Sequence, residues 1–355
     1  MIEKRIEAFR GLLKKNGIEC ALLTSDVNRN YMSGFTGNES YAIITADRAI
    51  FVTDSRYTEQ AANQVANYEI IEYKGYFIDF FQDFIEKLNV KNIGFEDNYV
   101  PYNFYKSLSD RLKLDIIPLG DIVEGLRIIK DKEELSLIRH AASIADDAFD
   151  HMLSFIRAGM TEFQVGLELE FFMKKNGASA LSFPSIVASG SRSSLPHGEA
   201  TKKIINKGEF LTLDFGCVYE EYCSDMTRTL IIGEPDDKMI EIYETVLGAQ
   251  KEALKFIKAG LTGAEVDKIA RKYINDRGFG KYFGHGLGHG VGRLVHEGPY
   301  ISFKGVEELK SGMVITDEPG IYIPSFGGVR IEDLLVVLDG GCEVFSKAPK
   351  DLIII

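Results

Sequence analysis

Three of the chain's six histidines, His285, His289 and His296, fall within the stretch FGHGLGHGVGRLVH. Glycines at 284, 286, 288, 290 and 292 let the backbone pack closely around a site there. No GK[ST] follows, so the stretch is not a phosphate loop. Glu318 follows an apolar strand in VITDEPG and Glu332 lies inside another in VRIEDLLVV, and acids embedded in Ile/Leu/Val strand sequence are rarely idle. Asp214 and Asp225 stand eleven residues apart. If Phe210–Phe215 and Tyr222–Ile232 form a hairpin centred between Tyr219 and Glu220, these two aspartates lie directly opposite, with Cβ atoms about 5 Å apart. Two buried carboxylates that close repel, so a cation sits there, one acid holds a proton, or one belongs to a solvated turn.

The glutamates and the clustered histidines favour the cation. Asp214, Asp225, Glu318 and Glu332 carry four negative charges, which two divalent ions neutralise. Mostly oxygen donors with one imidazole suit Mn²⁺, Co²⁺, Zn²⁺ or Fe²⁺. Two such ions about 3.5–4 Å apart activate a shared water and clamp both oxygens of a hydrolytic transition state.

The elements that must position these residues follow from periodicity. Residues 1–125 read as an α/β unit: helices over Ile2–Lys15 and Tyr76–Leu88, with short strands at Ala21–Thr24, Tyr41–Thr45 and Ala49–Thr53. A long helix with the polar entry KDKEEL starts near Asp131 and continues to Ile156, which places a domain junction at about residue 125. Residues 126–355 repeat themselves. Phe155–Thr161 (FIRAGMT) matches Phe256–Thr262 (FIKAGLT) at an offset of 101, and Thr212–Asp214 resembles Ile315–Asp317 at an offset of 103. Each copy reads as helices followed by strands, so this half is α+β with an internal duplication and a site between the copies.

Composition narrows the partners. With 41 Lys and Arg against 53 Asp and Glu the net charge is −12, which disfavours nucleic acid and anionic membranes. No apolar run approaches a membrane span and no signal-peptide core is present. Four scattered cysteines suit a reduced cytoplasm, and Cys217 and Cys223 read as small buried residues. His140 and His151, on the long helix, read as ordinary structural histidines.

The spans LTLDFG, CSDMTRT, GHGLGHGVG, TDEPG and GVRIED resemble the signature segments of the creatinase/prolidase/methionine aminopeptidase superfamily, the pita-bread fold. YMSGFTG and VTDSRY are similar to the creatinase-like N-terminal domain that precedes it in Xaa-Pro peptidases. The resemblance implies five metal ligands, Asp214, Asp225, His289, Glu318 and Glu332, with Asp225 and Glu332 bridging two ions. It implies that Glu318 moves the proton of a metal-bridging hydroxide, that His296 stabilises the oxyanion, and that His197 lines the pocket on the leaving-proline side. His285 and Arg330 become supporting groups. The implied reaction is hydrolysis of an N-terminal Xaa-Pro bond in dipeptides or short peptides, and a homodimer is expected. A non-catalytic binding module on the same fold, or an aminopeptidase of other specificity, are the alternatives.

Overall fold

The computed structural model describes all 355 residues, which divide into two compact units, Met1–Arg127 and Ile128–Ile355. In the first, α1 (Ile2–Lys15) buries Ile6, Phe9 and Leu13, its helically spaced apolar positions. The chain continues through β1 (Cys20–Leu23), α2 (Asp26–Ser33), β2 (Ser40–Thr45), β3 (Ala49–Thr53), α3 (Thr58–Gln64), β4 (Glu69–Glu72), α4 (Phe77–Leu88), β5 (Asn92–Phe95), α5 (Tyr102–Arg111), β6 (Asp115–Pro118) and α6 (Ile122–Arg127). The strands form one mixed six-stranded sheet in the order β4-β3-β2-β1-β5-β6. Fully buried Leu22, Ile43, Ile50 and Val52 lie on one face, with Ala21, Leu23, Ala42 and Ile44 on the other.

The second unit opens with α7 (Lys132–Phe155). Asp131 accepts from the Glu133 and Glu134 amides, and the Glu134 carboxylate returns to the Asp131 amide. This reciprocal cap fixes where the helix starts. α8 (Glu162–Lys175) packs on α7, as α10 (Gly263–Asp276) packs on α9 (Asp237–Leu254). Both α8 and α10 begin with the same reciprocal cap, Thr161 with Gln164 and Thr262 with Glu265, at the offset of 101 read from the sequence.

Strands follow each helix pair. β8 (Ile186–Ser189), β9 (Glu209–Phe215) and β12 (Met226–Ile232) make one antiparallel sheet, and β7 (Ala180–Leu181), β10 (Cys217–Tyr219) and β11 (Tyr222–Cys223) a smaller one. In the other copy, β13 (Gly288–Gly290), β14 (Glu297–Ile301), β15 (Val314–Asp317), β18 (Asp333–Leu338) and β19 (Gly341–Val344) form a five-stranded sheet. β16 (Gly320–Ile323) pairs with β17 (Gly327–Arg330) alone.

Two sequence expectations change here. The hairpin is centred between Glu220 and Glu221, not between Tyr219 and Glu220: Tyr219 pairs with Tyr222 and Asp214 with Thr227. Asp214 and Asp225 are therefore diagonal neighbours rather than directly opposed. The two-residue loop puts Glu220 at φ 46° and Glu221 at φ 69°, the left-handed pair that a tight hairpin demands. The second change concerns Asp225 and Glu332, read as lying inside strands, whereas Glu318 follows a strand as expected. Glu318 stands between β15 and β16, Glu332 between β17 and β18, and Asp225 between β11 and β12. Each occupies a two-residue break where the chain leaves one sheet and enters another.

Candidate metal centre

The breaks explain how the acids converge. In a continuous strand the side chains are committed to the two faces of one sheet. At a crossing between sheets a carboxylate is freed to point into the space between them. Ligand atoms of Asp225, His289 and Glu332 all lie within 4.8 Å of one another. His289 Nε2 stands 3.2 Å from Glu318 Oε1 and 3.6 Å from Asp225 Oδ2. Asp214, on β9, lines the same cavity with these four.

The break at Asp225 has a visible cause. Ser224 Oγ accepts from the Cys217 amide at 3.0 Å, and Ser182 Oγ donates to the Ser224 carbonyl at 2.8 Å. Gly216 packs flat against this backbone, where a Cβ would lie 2.0 Å from the Ser224 oxygen.

Neighbouring groups hold the acids in place. Thr227 Oγ1 donates to Glu332 Oε2 at 2.6 Å and accepts from Arg330 Nε at 3.0 Å. Thr316 Oγ1 donates to Glu318 Oε1 at 3.0 Å. Arg330 donates through Nη2 to Asp214 Oδ2 and through Nη1 to Tyr322 OH at 2.7 Å. Tyr322 in turn meets His285 Nε2 at 2.8 Å, while His285 Nδ1 faces the Gly286 carbonyl at 2.7 Å. Burial lowers the His285 pKa. The ring is thus neutral, donating from Nδ1 and accepting the Tyr322 hydroxyl proton at Nε2. His285 and Arg330 belong to one chain of hydrogen bonds that ends on Asp214. From the other side, buried Arg228 donates to the Glu332 carbonyl, to the Thr227 carbonyl at 2.9 Å and to Asp333 Oδ1 at 2.9 Å.

The donor set fits divalent cations. His289 Nδ1 faces the Gly290 carbonyl at 3.1 Å. With the proton on that nitrogen, the Nε2 lone pair is left aimed at the carboxylates, the arrangement of a metal-ligating imidazole. Asp214 Oδ1 and Glu332 Oε1 are buried with no hydrogen-bond partner. Burial, then Glu332, Asp214 and Glu318, push the Asp225 pKa well above the carboxylate range. Burial, then Glu318 and Asp214, do the same to Glu332. Glu318 runs the other way: burial opposes ionisation, but the His289 hydrogen bond and charge bring it down to about 2. Positive ions among these groups relieve the repulsion and satisfy the unpaired oxygens.

His296 is exposed, with its ring 4.2 Å from that of His289, centroid to centroid. His197 is exposed at the cavity rim. All nine residues singled out in the sequence line this one cavity of about 480 Å³. Sequence reasoning missed Tyr322, Thr316 and Arg228. The first two lie in ordinary strand sequence, and only their register reveals their hydrogen bonds. Arg228, in SDMTRT, is marked by being a cation inside an apolar strand. His151 is structural, 2.7 Å from Glu168 on the neighbouring helix. Cys217 and Cys223 are buried, their thiols pushed up to about 11 and about 12 by burial, so neither is a nucleophile at neutral pH.

A two-copy α+β unit with an acid-rich, imidazole-containing cavity defines a metal-dependent hydrolase of the pita-bread class. The chain belongs to metallopeptidase family M24, whose profile matches residues 136–339, and carries the creatinase/prolidase N-terminal domain over residues 5–129. It is 47% identical to the uncharacterised peptidase YqhT of Bacillus subtilis, over 99% of this chain and all of that one. It is 38% identical to a Xaa-Pro dipeptidase of Pyrococcus horikoshii, over 99% of both chains. Among solved structures, a Xaa-Pro dipeptidase from Bacillus anthracis superposes with a TM-score of 0.98 at 48% identity, covering all of both chains. An X-Pro aminopeptidase from Thermotoga maritima does so at 0.91 and 40% identity, covering 96% of this chain and 98% of that one. The relatives named are peptidases, which speaks against the binding-module alternative. No helix is long and apolar enough to cross a membrane.

Proposed function

We propose that the chain hydrolyses the bond between a first residue and a following proline, and that Asp214, Asp225, His289, Glu318 and Glu332 would hold two divalent ions for that reaction. One observation carries this reading: ligand atoms of Asp225, His289 and Glu332 meet within 4.8 Å, next to buried carboxylate oxygens that have no other partner. The bound ions supply an acidified water and a polarised scissile carbonyl. Glu318 takes the water's proton and passes it to the departing proline nitrogen. Thr316 holds its Oε1, which leaves Oε2 free to act. His296 donates to the carbonyl oxygen as negative charge builds on it. The Arg330–Tyr322–His285 chain keeps Asp214 from rotating.

The Xaa-Pro bond is a tertiary amide with no N–H, so peptidases that grip an extended backbone by hydrogen bonds lose a donor there. A shaped cavity with a positioned water does not need it. The names of the Bacillus anthracis and Pyrococcus horikoshii relatives support this substrate class. Purified protein supplied with Mn²⁺ or Co²⁺ is expected to release the first residue from Ala-Pro or Ala-Pro-Ala, and to stop on adding a chelator. Cleavage of neither peptide, or equal cleavage of Ala-Ala, overturns the reading.

A further inference from the structure

The cavity has a floor and a mouth. Asp214, Asp225, Arg330 and Glu332 are buried at the floor, whereas Pro184, His197, Glu199 and Tyr300 are exposed at its edge. A peptide cut after its first residue leaves that residue on one side of the reacting carbonyl. The remainder, of whatever length, must reach solvent through the mouth. Whatever follows the proline therefore passes the exposed edge.

The charge at that edge is uneven. Arg330 is the only arginine lining the cavity and no lysine lines it. Arg330 is already bonded to Thr227, Tyr322, Asp214 and the Pro196 carbonyl. Asp214, Asp225, Glu318 and Glu332 are the groups assigned to the cations. Glu199 is left over. Its backbone is held, with the carbonyl accepting from Arg192 Nη2 at 2.8 Å and the segment bridging to Ile186. Its carboxylate makes no hydrogen bond and no ion pair. A fixed backbone carrying a free, exposed carboxylate presents one negative charge to the outgoing peptide.

We propose that Glu199 is a specificity-determining residue that disfavours a free proline carboxylate and favours longer peptides, above all those with Lys or Arg after the proline. The inference rests on the Xaa-Pro reading. A dipeptide brings its own carboxylate to this edge, where it meets Glu199 and the His197 imidazole, while the neighbouring Arg192 is already paired with Glu162 and does not line the cavity. A tripeptide carries its carboxylate past, and a basic third side chain gains the attraction.

The test compares kcat/KM for Ala-Pro, Ala-Pro-Ala-NH₂ and Ala-Pro-Lys-NH₂ in the Mn²⁺-loaded wild type, Glu199→Gln and Glu199→Lys, with Glu244→Gln on the exposed face of α9 as control. Wild type is expected to favour the lysine peptide over the alanine peptide by roughly two- to fivefold, the range of an exposed charge pair. That preference should collapse in Glu199→Gln, invert in Glu199→Lys, shrink in about 1 M salt, and persist in Glu244→Gln. The rate on Ala-Pro relative to Ala-Pro-Ala-NH₂ should rise in Glu199→Lys. Identical ratios in all proteins, with the peptides still cleaved, overturn the role of Glu199 alone. Failure to cleave any of them overturns the Xaa-Pro reading and this inference with it.

Discussion

Arg330 donates to one oxygen of Asp214 while the other oxygen is buried without any partner. The guanidinium thus fixes the orientation of the carboxylate and leaves its second oxygen unpaired. Arg330→Met is expected to weaken metal binding or kcat/KM by roughly 10- to 100-fold, the usual cost of losing a group that orients a ligand. Arg330→Lys should rescue little, because a point ammonium cannot serve Asp214, Tyr322 and Thr227 together. Titration calorimetry with Mn²⁺ checks both variants, and unchanged affinity in Arg330→Met would mean that Asp214 needs no orienting group.

Asp225→Ala and Glu332→Ala should each abolish turnover and reduce the metal retained, while far-UV circular dichroism stays near wild type. The fold survives because each change removes a buried carboxylate whose charge is already disfavoured by its neighbours. Normal activity of either variant with added Mn²⁺ or Co²⁺ would show that the bridging assignment is wrong.

His296→Ala separates catalysis from metal holding. Turnover should fall by about 100- to 1,000-fold, as for loss of an oxyanion donor, with metal content per chain unchanged. Loss of one ion would instead make His296 a ligand.

Glu209 gives the acid limb of stability a defined contributor. It accepts from Lys203 Nζ at 2.7 Å and from the Asn206 amide at 3.1 Å. Burial pushes its pKa up, but these hydrogen bonds outweigh it and the net shift is below the usual 4.5. A lowered folded-state pKa adds stability that is complete above pH 4.5 and is lost as pH falls through the folded value. The stability gap between wild type and Glu209→Gln, less than about 1 kcal/mol for a partly exposed pair, should be constant near neutrality and close below pH 4.5. Urea midpoints across that range decide it; a gap that widens on acidification contradicts the sign.

Gly216→Ala tests the packing that creates the break at Asp225. A methyl group there would meet the Ser224 carbonyl at 2.0 Å and the Ser182 hydroxyl at 3.2 Å. It should cost about 1–3 kcal/mol and lower metal affinity in the same protein, whereas stability loss with metal binding intact would detach the break from the site.

The site was more legible in the sequence than the path that builds it. Acids in Val/Ile/Leu sequence and three close histidines announce themselves by residue type, because burying such groups is too costly to be incidental. Pro319–Gly320 marks the break at Glu318, but the break at Glu332 does not announce itself: in VRIEDLLVV both flanking strands are apolar, so the pattern runs through a change of sheet without a mark. The hairpin register slipped for a similar reason. Left-handed loop positions are ordinarily signalled by Asn or Gly, and Glu220–Glu221 carries neither. The duplication was readable at α8 and α10, where the Thr caps repeat. It misleads at its far end: Asp317, the counterpart of Asp214, is fully buried on β15 with both carboxylate oxygens unpartnered, and the next residue, Glu318, faces the cavity.

Because three of the acids enter from crossings between sheets, ions seated among them would tie separate layers of the catalytic unit together as a rivet ties plates. Ion uptake then reports more than readiness for chemistry. Any lesion that lets two layers slide, however distant from the cavity, should surface first as a weakened grip on metal, and a metal-loaded sample should resist heat and proteases by a margin that grows with ion concentration.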